Sequence, residues 1–107
     1  MYTEILRKIL LKTCELSELT EEQVKVSREE SARVARKILI EVLTTYFSDT
    51  EIAKFLCVKR QRVNAIRNSK KQAIRPFTER IMLRDLSMYT QLLLNEVETT
   101  QKQNKEH

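Results

Sequence analysis

The chain contains no glycine, a single proline at Pro76 and no tryptophan, and aromatic residues fill only 6% of its 107 positions. Without glycine it lacks the residue that tight hairpin turns and phosphate-cradling loops use for positive φ or close backbone approach. A glycine-rich nucleotide loop is excluded, and an all-α fold is the expectation. Because hydrophobic residues still make up 41% of the chain, the core of such a fold must be aliphatic. Catalytic chemistry is scarce as well. The only histidine is His107, the last residue, and the adjacent carboxylates Glu21/Glu22 and Glu29/Glu30 diverge if they lie on helices. No enzyme activity, metal site or cofactor is expected. Cys14 and Cys57 form no C-x-x-C pair and read as reduced packing residues of a cytoplasmic protein. No apolar run reaches 18 residues, and the N-terminus is unlike a signal peptide, so a soluble chain is expected.

What is present reads as one small helical bundle of residues 1–97, followed by a polar tail, 98–107, expected to be disordered. A first helix is predicted over 3–16, with Ile5, Leu6, Ile9, Leu10 and Cys14 on one face. The segment "SELTEEQVKV" has a capping box at Thr20 to Gln23 but little apolar content, and reads as a connector with one helical turn. Ser27-Arg28-Glu29-Glu30 reads as a second capping box, opening a long helix to about Thr45. That helix has Ala32, Ala35, Leu39, Val42 and Leu43 on one face and Arg33, Arg36 and Lys37 on the others. Ser48-Asp49-Thr50-Glu51 is the clearest capping box, since an apolar run with Ile52, Ala53 and Leu56 follows at once. Pro76 suits the opening turn of a long C-terminal helix. Its Met82, Leu86, Tyr89, Leu93 and Val97, widened by Ile81, Leu92 and Leu94, approximate a heptad stripe. The stripe either packs back on the bundle or, as an alternative, makes the chain a homodimer through the 77–97 helix.

The formal charge of +5 is unevenly spread. Residues 52–80 hold Lys54, Lys59, Arg60, Arg62, Arg67, Lys70, Lys71, Arg75 and Arg80 against the single acid Glu79. Within this basic stretch, Ile52, Ala53 and Leu56 precede a turn at Cys57 and Val58, and Val63 and Ile66 follow it. Small and apolar anchors at that spacing suit a helix-turn-helix over about 48–68. Its second helix would expose side chains able to read DNA. Because base reading concentrates at the N-terminal end of such a helix, Arg60, Gln61 and Asn64 are the candidate base contacts. Lys54, Lys59, Arg62, Arg67, Lys70 and Lys71 are the candidates for the phosphate backbone. A turn at Cys57 would strain a residue with a side chain, and Lys59 is a poor N-cap. The reading that follows is sequence-specific binding of double-stranded DNA by a regulator of transcription or replication. The alternative is a helical protein-interaction module.

From about Ile5 to Asn68 the chain resembles the C-terminal DNA-binding domain of the bacterial replication initiator DnaA, a Trp-repressor-like helical fold. The resemblance lies in "VSREESARVARKILIEVL", similar to that family's basic residues and long helix, and in "SDTEIAKFL", similar to the first helix of its motif. It implies that an arginine near the start of the long helix, Arg33 or Arg36, reaches the DNA backbone or minor groove. Where the family has a Gly-Gly pair and an Asp-His-Thr-Thr signature, this chain has Cys57-Val58-Lys59-Arg60-Gln61-Arg62. The resemblance therefore implies a fold and a mode of docking, not the family's DNA box.

Overall fold

A computed structural model describes residues 2–69 and 75–105, the residues from Glu98 onward and Tyr2 as backbone only. It contains six helices and, among the described residues, no strand: α1 Tyr2–Ser17, α2 Glu21–Val26, α3 Glu30–Tyr46, α4 Asp49–Leu56, α5 Arg60–Ser69 and α6 Phe77–Lys105. The all-α expectation is met. The backbone of α6 continues past Val97 through most of the polar segment 98–107.

α3 is the axis of the fold, packing against each of the other five helices. Its consecutive residues Ile38, Leu39, Ile40, Glu41, Val42, Leu43 and Thr44 are all buried, so it is covered on nearly every side. Around it, α1 contributes Ile5, Leu6, Ile9 and Leu10, α4 contributes Ile52 and Leu56, α5 contributes Val63 and Ile66, and α6 contributes Leu86 and Leu93. At about 25 cal/mol per Å² of apolar surface removed from water, such aliphatic side chains contribute roughly 1.5–3 kcal/mol each. The heptad stripe of α6 is spent on this core. Leu86 and Leu93 are buried in it, and Met82, Tyr89 and Val97 pack against its edge.

Of two expected starts, one is met. The capping box expected at Thr20 to Gln23 forms, and within the segment expected to hold one helical turn it opens the six-residue helix α2. The Thr20 hydroxyl accepts from Gln23 N at 3.1 Å while Gln23 Oε1 accepts from Thr20 N at 2.9 Å, and Val24 is wholly buried. The capping box orders the first turn, and the buried Val24 anchors α2 on its neighbours. Conversely, the capping box expected at Ser27 to Glu30 does not form. Ser27 Oγ accepts from Glu29 N at 3.2 Å, the residue is extended, and α3 starts at Glu30 behind an N-cap, Glu29, that makes no side-chain bond. The box at Ser48 does form, with Ser48 Oγ accepting from Glu51 N at 3.2 Å and Glu51 Oε1 from Ser48 N at 3.3 Å.

A chain without glycine still needs left-handed residues to end helices, and it uses Glu18 (φ 59°) and Cys57 (φ 56°). In both places the next amide reaches back over the helix end, Leu19 N to Cys14 O and Val58 N to Ala53 O, each at 3.1 Å. Leu19 and Val58 also pack against the core, completing a helix stop in which hydrogen bond and apolar contact offset the backbone strain. Strain at the turn was legible in the sequence, and Cys57 carries it.

At the other end of α5, Arg75 leads the chain into α6. Its guanidinium forms a two-pronged ion pair with the buried carboxylate of Glu41, Nη2 donating to Oε1 at 2.6 Å and Nη1 to Oε2. The two side chains are 10% and 3% exposed. The bond to Glu41 holds the Arg75 guanidinium above its ordinary pKa against the opposing effect of burial. Pro76 follows, and its carbonyl accepts the first amide bond of α6 from Arg80 N at 3.1 Å.

Candidate nucleic-acid interface

α4 and α5 are joined by Cys57, Val58 and Lys59, and they pack on each other and on α3. Val63 and Ile66 fix α5 to the core, which turns Arg60, Gln61, Arg62 and Asn64 to solvent. Arg60, Gln61 and Asn64, the three candidate base contacts, line one shallow pocket together. On a different side of α5 a groove runs between it and the first half of α3. Among the described residues it is lined by Arg33 and Lys37 from α3 and Arg62 from α5, by one acid, Glu30, and by Val34, Ala65, Ile66 and Ser69.

Among the described residues none of Arg33, Lys37, Lys54, Lys59, Arg60 and Arg62 takes part in an ion pair. The first turn of α5 contains no acidic residue, while Arg60 and Arg62 sit at the positive end of its dipole. A cation there destabilises a helix by about 0.3–1 kcal/mol, and a bound anion reverses the sign. α4 is the opposite case, with Asp49 and Glu51 in its first turn.

Two predicted backbone contacts have other work. Arg36 is buried, with Nε donating to Val24 O and Nη2 to Ser27 O, both at 2.7 Å. It ties α2 and the α2–α3 connection to α3. Burial, reinforced by repulsion from Arg62 and Arg33, holds its pKa below the ordinary arginine value. Of the two arginines left open by the resemblance, Arg33 is exposed and Arg36 is turned inward. Arg67 is likewise engaged. Its Nε donates to Asp49 Oδ1 at 2.8 Å, Nη1 to Thr44 O at 2.8 Å and Nη2 to Phe47 O at 3.1 Å, closing the corner where α3 ends and α4 begins. Lys70 and Lys71 lie outside the described residues.

Lys37 is the groove residue missing from the sequence-derived set. Its signal was the four-residue spacing from Arg33, which places both on one helix face. Arg36, by contrast, lies four residues after Ala32, three before Leu39 and seven before Leu43, in register with the apolar stripe. Asn64 Nδ2 donates to Asp49 Oδ2 at 3.1 Å, a contact between helices that spacing alone does not indicate. The bonds from Asn64 and then Arg67 hold the Asp49 carboxyl below its ordinary pKa.

Among the described residues no group of three or more His, Cys, Asp or Glu side chains is placed to hold a metal ion, and no helix is long and apolar enough to cross a membrane. Comparison with protein-family models, with curated proteins and with solved structures returns no match to this chain.

Proposed function

We propose that the chain binds double-stranded DNA, with α4 and α5 acting as a helix-turn-helix and α5 lying in the major groove. The observation that supports this most is the set of cations from two helices with no ion pair among the described residues, Arg33 and Lys37 of α3 with Arg62 of α5, together with the exposed Arg60, Gln61 and Asn64. Cations held apart from acids cost a protein self-repulsion, and a polyanion relieves it. In this reading Arg33, Lys37, Lys54, Lys59 and Arg62 contact phosphates. Arg60, Gln61 and Asn64 meet base edges, Arg60 suited to guanine and the two amides to adenine. The resemblance to the initiator's DNA-binding domain supports the same docking, with Arg33 as the backbone arginine. The different α5 sequence points to a different DNA site.

Selection from a random duplex library at moderate salt tests the reading. The expected result is enrichment of a short motif, relaxed at one base pair by Arg60→Ala and left unchanged in sequence by Arg33→Ala, which weakens all duplexes alike. Recovery of no motif, or equal uniform loss from both variants, overturns the base-reading assignment.

A second reading, a protein-interaction module, is favoured by one observation. With the heptad stripe used in the core, α6 still exposes Phe77, Met88 and Leu92, at 67%, 57% and 62%. Sedimentation of the chain and of a Phe77→Glu, Met88→Glu variant checks it: a concentration-dependent dimer abolished by the variant supports the module, and a monomer in both cases removes self-association.

A further inference from the structure

The exposed polar side chains of α5 are not equally free. Asp49, in the first turn of α4, gives one carboxylate oxygen to each of two α5 residues: Oδ2 accepts from Asn64 Nδ2 at 3.1 Å and Oδ1 from Arg67 Nε at 2.8 Å. Arg67 is itself fixed by the carbonyls of Thr44 and Phe47. The carboxylate that holds Asn64 is therefore anchored to a closed corner of the fold rather than to solvent, and its side chain is only 14% exposed. On its other side, Asn64 Oδ1 accepts from Asn68 Nδ2 at 3.1 Å.

A carboxamide has two N–H donors and two acceptor lone pairs. Asn64 spends one of each within the protein, so one of each remains, and the residue is exposed beside Arg60 and Gln61. One donor and one acceptor on a planar group is the complement of the N7 and N6 edge of adenine. An amide whose rotamer is set before contact loses less freedom on binding than a mobile one. From this geometry we propose that Asp49 is a positioning residue for base readout, fixing Asn64 so that the unused half of its amide meets an adenine. The assignment rests on the DNA-binding reading above. It also gives Asp49, an acid beside a basic surface, a role other than repelling phosphate.

The test compares the intact chain with Asn64→Ala, Asp49→Asn and the double variant on a library of duplexes varied one base pair at a time. The expected result is a preference for A·T at one position of roughly 5- to 150-fold, the range for a good bidentate contact. It is lost in either single variant, with no further loss in the double and an unchanged salt dependence of binding. A folded Asp49→Asn protein that keeps the preference overturns the proposal, as does a preference lost only together with the salt dependence. Side-chain amide order parameters of the unaltered chain provide a readout that survives any folding defect of the variant. An Asn64 amide rigid before DNA is added supports the proposal, and a freely reorienting one overturns it. Absence of duplex binding by the unaltered chain at low salt is distinct, because it removes the DNA-binding reading itself.

Discussion

Along α3, along α5 and at the lead into α6, arginines have three different employments, and the distinction is made one residue at a time. Arg36 and Arg67 serve backbone carbonyls, Arg67 also pairing with Asp49, Arg75 neutralises a buried acid, and Arg33, Arg60 and Arg62 face solvent with no ion pair among the described residues. Hydrogen bonds from a charged donor contribute about 1.5–3 kcal/mol, so Arg36→Ala, which orphans the carbonyls of Val24 and Ser27, is expected to destabilise the fold by at least about 2 kcal/mol. Arg33→Ala, its near neighbour, is expected to stay within about 0.5 kcal/mol. Urea denaturation of the two variants checks the contrast. The Glu41–Arg75 pair leads to a sharper expectation. Removing Arg75 alone leaves a buried carboxylate uncompensated and costs about 3–5 kcal/mol, whereas replacing both residues by methionine recovers most of that loss. A double-mutant cycle measures it, and equal losses in the single and double variants would contradict the account. Sequence spacing distinguishes Arg36 from Arg33, since only Arg36 falls in register with the apolar stripe of α3. Nothing in the sequence pairs Glu41 with Arg75, because 34 residues separate them and the contact depends on where α6 docks.

Elements were legible in proportion to how local their causes are. The capping box at Ser48 is a contact across three residues, and it forms as the pattern indicates. The Ser27 box has the same pattern but fails, because the chain there is extended between α2 and α3 and the carbonyl of Ser27 serves Arg36. α2 was hard to see for the opposite reason: with only Val24 to bury, it depends on α3 for its stability. The face of α6 was readable from its heptads, and the structure packs that stripe against α1 and α3. At this scale Asp49 makes a pH prediction. Its folded pKa lies below the ordinary aspartate value of about 3.9, so its contribution to stability is present above that value and is lost as pH falls through the lower folded one. The joint of α4 with α5 should weaken in that acid window. Thermal melts from pH 6 to 2 are expected to show a steeper acid decline for the unaltered chain than for Asp49→Asn, and parallel curves would count against the corner described here.

Over the whole molecule, the basic segment read from the sequence divides into a structural part and an available part, and the available part is extended by α3. The groove between α3 and α5 joins residues near 33 to residues near 62, and Lys37 escaped a reading that took only Arg33 and Arg36 from α3. In the proposed function these cations meet the phosphates of a duplex. The most direct measurement of that contact is the equilibrium affinity for a duplex of random sequence as a function of salt. The five assigned phosphate contacts, at about 0.9 each, predict that log affinity falls against log salt with a slope of at least about 4, and that Arg62→Ala lowers the slope by about one. A chain that fails to bind at low salt, or binds with a slope that Arg62→Ala leaves unchanged, would contradict it.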